Sequence, residues 1–163
     1  KMRNFLIAFI LLIISINFSF SASTGNSESS NPKSNYEKAV SLIKAAKKYE
    51  KKGKIEKAQK RYLRAQKFLI KSNKKKPKSA DTLNYLGFTT RKLGDFEQGE
   101  KYYLQGLDIN PNHVGINEYL GELYVVTNRL DLAKERLKVL ENCNCDEFNE
   151  LKSVINGSKK SKY

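Results

Sequence analysis

Between residues 40 and 140 the apolar positions recur at intervals of three and four. Leu42, Ala45, Ala46 and Tyr49 form one such stripe, and Ala58, Tyr62 and Ala65 form the next. That spacing puts each set on one face of an α-helix. The stripes are interrupted at Gly53, Gly94 and Asn128, where a pair of helices must turn, and again at Pro77 and Pro111, which cannot continue a helix. The starts are also marked. Ser34-Asn35-Tyr36-Glu37 has the form of a capping box, Asp95 can cap the helix after Gly94, and Asp146 can cap a last helix reaching about residue 155. Phe148, Leu151, Val154 and Ile155 would form the apolar stripe of that last helix.

The pattern also repeats over a longer range. Leu83, Tyr85, Leu86 and Gly87 reappear 34 residues later as Asn117, Tyr119, Leu120 and Gly121, and Gly94, Phe96, Gly99 and Tyr103 as Asn128, Leu130, Ala133 and Leu137. An upstream copy, Gly53, Ile55, Ala58 and Tyr62, precedes its counterparts by 41 residues. The seven extra residues make nearly two helical turns, so the stripe stays on one face and a single long helix over about 54–74 is predicted. The repeat has a packing logic. Small residues at Ala46, Gly87 and Gly121 let the first helix of a pair approach its partner, and Ala58, Gly99 and Ala133 do the same from the second. Tyr62, Tyr103 and Leu137 fill the remaining space, with Leu42, Tyr49, Leu86, Phe96, Leu120 and Tyr124 completing the repeat-packing set.

These positions resemble the tetratricopeptide repeat. Residues 80–113 fit it best, through Leu83, Leu86, Gly87, Gly94, Phe96, Tyr103 and Pro111; they depart from it at Thr90, Gly99 and Gly106, where Tyr, Ala and Ala are usual. The resemblance implies an all-α fold, a right-handed α-solenoid of about three helix pairs (repeats about 39–77, 80–113 and 114–145) closed by a capping helix over 146–156. It further implies a concave groove lined by the first helix of each pair and used to bind a protein or peptide. The groove positions are Ile43, Lys47 and Glu50, then Asp81, Asn84, Phe88 and Arg91, then Glu118, Glu122 and Val125. Phe88 has two readings, as a groove anchor or as packing against a neighbouring helix. Some members of the family clamp the carboxylate end of a peptide with Lys, Arg and Asn. Here Ile43, Lys47, Gly115 and Tyr119 stand at those positions, so no such clamp is expected.

The ends of the chain are of a different kind. A basic start, an apolar run over residues 5–14 and small residues around 21–23 have the parts of a secretory signal peptide, assigned to 1–21. The whole stretch over 5–20 is too short and too polar for the roughly 20 residues of a spanning helix. It implies a periplasmic or secreted protein of small bacterial envelope type, with no stable membrane anchor after cleavage. A Ser- and Asn-rich leader follows over 22–35, the repeat domain occupies 36–156, and the basic tail over 157–163 is expected to be disordered.

Charge changes the range of partners. There are 31 Lys and Arg against 17 Asp and Glu, a net +14, which favours anionic surfaces or polymers. The densest run is residues 71–78, KSNKKKPK. An exported chain is not expected to meet nucleic acid. A basic envelope protein holding an anionic polymer or a membrane surface is therefore the alternative to the adaptor. A third reading is a thiol-redox protein, since the only cysteines, Cys143 and Cys145, stand one residue apart; in an oxidising compartment a structural disulfide there is the simpler expectation. The lone His113 is expected in an exposed turn, and no metal-ligand set, phosphate loop or base–nucleophile pair is legible. No enzyme activity, metal or cofactor is expected.

Overall fold

A computed structural model describes residues 32–161, and the statements below concern those residues. The expected signal peptide and residues 22–31 of the leader lie outside them, as do Lys162 and Tyr163. Seven helices follow one another among the described residues: α1 (Asn35–Lys51), α2 (Ile55–Lys75), α3 (Ala80–Lys92), α4 (Phe96–Ile109), α5 (Val114–Val126), α6 (Leu130–Leu140) and α7 (Asp146–Ile155).

Local chemistry fixes the ends of these helices. The Ser34 hydroxyl accepts from the Glu37 amide while the Glu37 carboxylate accepts from the Ser34 amide at 2.8 Å, closing the capping box. Asp95 accepts from the Gln98 amide at 3.0 Å and starts α4. Gly53, Gly94 and Asn128 end the first helix of each pair in the left-handed region, with φ of 67°, 99° and 58°. At α7 the expectation needs correcting. Cys145 holds the N-cap position and makes no side-chain cap, and Asp146 is the first helical residue, where its charge faces the positive end of the helix.

The helices pair as α1/α2, α3/α4 and α5/α6, each pair lying against the next, with α7 on α5 and α6. The result is an α-solenoid in which α1, α3 and α5 run side by side along one face. Close approach is visible at the glycines. A Cβ on Gly87 would overlap the ring of Tyr103, and one on Gly121 would stand 2.5 Å from the Leu151 side chain. Gly87 thus packs its own helix pair together, whereas Gly121 makes room for the capping helix. Gly106, where Ala is usual, is filled from outside by Ile116.

Most of the repeat-packing set is buried, including Ala46, Ala58, Tyr62, Leu86, Tyr103, Leu120, Tyr124 and Ala133, while Leu42 and Tyr49 pack partly buried against it. Two members differ. Phe96, the first residue of α4, is 40% exposed, with the Arg91 guanidinium 5.9 Å from its ring. Leu137 is half-buried, and Leu140, one turn later, fills the end of α6 instead. The tail also differs over its described part. The Lys159 amide donates to Ser153 O at 3.1 Å, the Lys159 ammonium pairs with Glu150, and the Ser161 hydroxyl donates to Glu122 Oε2 at 3.0 Å.

Candidate functional site: the face of α1, α3 and α5

The first helices supply the groove positions expected from sequence, and the structure divides those positions into two groups. Lys47, Glu50 and Val125 are half-buried and Asp81 is exposed; Ile43, Asn84, Phe88, Arg91, Glu118 and Glu122 are buried. The second group therefore forms the floor of the face and not its lining. The reason is visible at Phe88, which is 1% exposed. Its ring sits 5.7 Å from that of Tyr62, edge-on, and 5.1 Å from that of Tyr119. Of the two readings of Phe88, packing against neighbouring helices is the one observed. The three rings tie α2, α3 and α5 into one aromatic cluster, in arrangements worth about 0.5–1.5 kcal/mol per pair beyond burial.

Lys47 closes this cluster from α1. Its ammonium lies 4.6 Å from the Phe88 centroid and 5.6 Å from that of Tyr119, and it donates to Tyr119 Oη at 3.2 Å. A cation over two ring faces is held by their negative quadrupoles. Next to it, Glu50 Oε2 accepts from the Tyr62 hydroxyl at 2.8 Å and Glu50 Oε1 pairs with the Lys92 ammonium at 2.7 Å. Burial, and secondarily the bond to Glu50, pushes the Tyr62 phenol well up; burial does the same to Tyr119, with Glu118 adding to it. Both rings stay neutral over the physiological range.

Arg91 also has a structural place. Its Nη1 donates to the backbone carbonyl of Tyr119, joining α3 to α5, and its stem runs so close to Gly99 that a Cβ there would meet Arg91 Cγ at 2.6 Å. The departure from Ala at residue 99 is what opens this slot. At Thr90, where Tyr is usual, Oγ1 accepts from Gln66 Nε2 at 2.8 Å, a polar tie from α2 to α3. Glu122, fully buried, receives Ser161 from the tail. His113 is not the exposed turn residue expected. Its Nδ1 accepts from the Ile116 amide at 3.1 Å as the N-cap of α5, and its Nε2 lies 3.2 Å from Asp81 Oδ1, linking the starts of α3 and α5.

Sequence reasoning missed the part played by Tyr119. Beyond its place in the repeat and its misfit as a peptide-end clamp, its ring packs on Phe88 and its carbonyl accepts from Arg91, both of α3, while its hydroxyl accepts from Lys47 of α1. The signal available was three aromatics, Tyr62, Phe88 and Tyr119, at inward or groove-facing positions of three successive pairs. Cys143 and Cys145 lie apart from this face, at the entry to α7, with Cα atoms 5.2 Å apart and their sulfurs joined.

Comparison with known proteins bears on the scaffold. Residues 80–113 match the family described as tetratricopeptide repeat. No curated protein sequence matches the chain. Among solved structures it is similar to the type III secretion translocator chaperone SycD of Yersinia enterocolitica, at 14% identity and a TM-score of 0.53, over 72% of this chain and 81% of that one. It is also similar to the first TPR of Spaghetti bound to an HSP90 peptide, at 21% identity and a TM-score of 0.49, over 78% and 98%. The first TPR domain of human RPAP3 follows at 24% identity and a TM-score of 0.49, over 77% and 98%. Residues 80–113 thus match one tetratricopeptide repeat, and the described chain around them folds as an α-solenoid similar to that of SycD.

Proposed function

We propose that the chain is an exported tetratricopeptide-repeat adaptor that binds a protein or peptide on the face formed by α1, α3 and α5. The observation that carries this reading is the cluster of Lys47, Phe88 and Tyr119. It joins one residue from each first helix and sets the face rigidly before any partner arrives. A pre-formed surface avoids the entropy cost of ordering on binding. The polar groups at its surface are of both signs, Lys47 beside Glu50 with Asp81 further along, which suits a polypeptide better than a uniformly anionic polymer. The fold is shared with SycD, a type III secretion translocator chaperone. Export rests on the basic, apolar and small-residue order of the first 21 residues. An oxidising compartment would suit Cys143 and Cys145, which this reading takes as a structural disulfide at the entry to α7.

The test is capture by crosslinking from the native envelope, comparing wild type with Lys47→Glu/Asp81→Lys. Both side chains reach solvent, so the variant is expected to keep its helical circular dichroism. Loss of the captured protein in the variant supports the reading. Equal recovery by the two proteins overturns it.

A further inference from the structure

The inner face of the solenoid does not account for its most unequal distribution of charge. Helix α2, Ile55–Lys75, carries eight Lys and Arg against the single Glu56, a net +7 out of +14 for the whole chain. At about 100° per residue, Lys57, Lys60, Arg64, Lys67, Lys71 and Lys74 fall on the side opposite the buried Ala58, Tyr62, Ala65 and Leu69. All six are exposed, and none enters an ion pair among the described residues. Neutralising partners are plentiful elsewhere in the fold, as at Arg129–Glu100 and Lys92–Glu50. On α2 they are missing along nearly six turns. The basic run seen in sequence at 71–78 is the end of this longer surface.

Beside the cations lies a line of exposed aliphatic side chains. Ile55 is 53% exposed, Leu63 45% and Ile70 49%, at intervals of eight and seven residues, so all three keep to one side of the helix. Lys60, Lys67 and Lys74 border that line directly. We infer that the outward face of α2 docks on an anionic phospholipid membrane surface. The cations would meet the headgroups, and Ile55, Leu63 and Ile70 would enter the interfacial layer. An anionic polymer would answer the charge alone and leave the aliphatic line unexplained; a bilayer answers both. Lys stems can lie along the apolar line while their ammonium groups stay at headgroup level. Among the described residues no helix is long and apolar enough to cross a membrane, so the contact would be peripheral. The inference is independent of the inner-face reading and of export.

The experiment uses the full chain and vesicles of phosphatidylcholine, alone or mixed with phosphatidylglycerol. The readout is the ratio of the two affinities by co-sedimentation at low salt. Any contribution of the apolar residues 5–14 enters both vesicle types and cancels in the ratio. A cation near an anionic leaflet is worth about a fivefold gain in affinity, so several acting together predict a ratio of about a hundred or more. Lys60→Glu/Lys67→Glu/Lys71→Glu/Lys74→Glu should bring the ratio to about one. Leu63→Ser/Ile70→Ser, with every charge kept, should weaken binding to the mixed vesicles by about tenfold. A wild-type ratio near one overturns the inference, as does a ratio that survives the charge reversal. If polyphosphate binds and Leu63→Ser/Ile70→Ser leaves vesicle binding unchanged, the surface is a charge-only polyanion site and the membrane assignment fails.

Discussion

Substituting Gly87 by Ala adds one methyl group to the middle of α3. In an exposed helix that change is favourable by about 0.5–1 kcal/mol, because Gly loses more backbone freedom on folding. Here the new Cβ would stand 2.6 Å from Cδ1 and 2.8 Å from Cζ of Tyr103. Tyr103 is 0% exposed, so its ring cannot swing out of the way, and α3 and α4 must separate. Overpacking of that kind costs about 1–3 kcal/mol. The cost exceeds the propensity gain, and a net loss of about 1–2 kcal/mol is expected, read as a lower urea midpoint at unchanged slope by circular dichroism. A second substitution identifies the cause. Tyr103→Leu removes the offending ring carbons and destabilises on its own account by leaving space. In that background Gly87→Ala should be neutral or stabilising by up to about 0.5–1 kcal/mol, giving a coupling of more than about 1 kcal/mol. If Gly87→Ala stabilises the wild-type chain, or its effect is the same in both backgrounds, α3 and α4 do not meet through Gly87 and the packing argument is wrong.

Other consequences are as direct. Arg129 grips Glu100 through two bonds, at 2.9 and 2.7 Å, and its guanidinium stacks 4.6 Å from the Tyr124 centroid. Both partners are partly exposed, so Arg129→Ala should cost only about 1 kcal/mol in urea unfolding, and Arg129→Lys should recover little of it, because an ammonium cannot make the paired contact. In alkali, burial pushes the Tyr36 phenol up to about 12 and raises Tyr62, Tyr85 and Tyr119 from the ordinary 10.0. Above pH 10 the unfolded chain therefore releases protons that the folded one retains, and stability falls with rising pH from there. Phenolate absorbance from these four rings should rise together with the loss of helical signal; ionisation near pH 10 with the helices intact would contradict their burial. A Cys143–Cys145 bridge closes so short a loop that Cys143→Ser/Cys145→Ser should lower stability by no more than about 1.6 kcal/mol, with helix content unchanged. A larger loss would mean that the pair does more than pin the entry to α7.

How far the sequence could be read depended on whether a feature was periodic. The helix pairs, their turns at Gly53, Gly94 and Asn128, and the length of α2 all follow from spacing, because 3.6-residue periodicity and left-handed turn residues are local properties. The repeat also located the face of α1, α3 and α5. What it could not do was say how deep each residue on that face would sit. Phe88 and Arg91 are buried by residues of other helices, Tyr62 and Tyr119 for the ring, and Gly99 for the stem. The role of His113 as the cap of α5 likewise needs its neighbours, since imidazole is a less common cap than Ser, Asp or Asn. The basic face of α2 could have been found by projecting residues 55–75 on a helical wheel. Counted along the chain, its cations are interleaved with the buried stripe, and only the cluster at 71–78 stands out.

The adaptor reading stands or falls on which face of the solenoid meets a partner. Photocrosslinking from single sites in the living cell can decide this. The crosslinking residue would replace Lys47 or Val125 on the face of α1, α3 and α5, and Leu104 or Leu132 on the second helices, where both leucines are exposed. One discrete protein adduct is predicted from positions 47 and 125 and is absent from 104 and 132. That adduct arising from 104 and 132, with none from 47 and 125, would contradict the account.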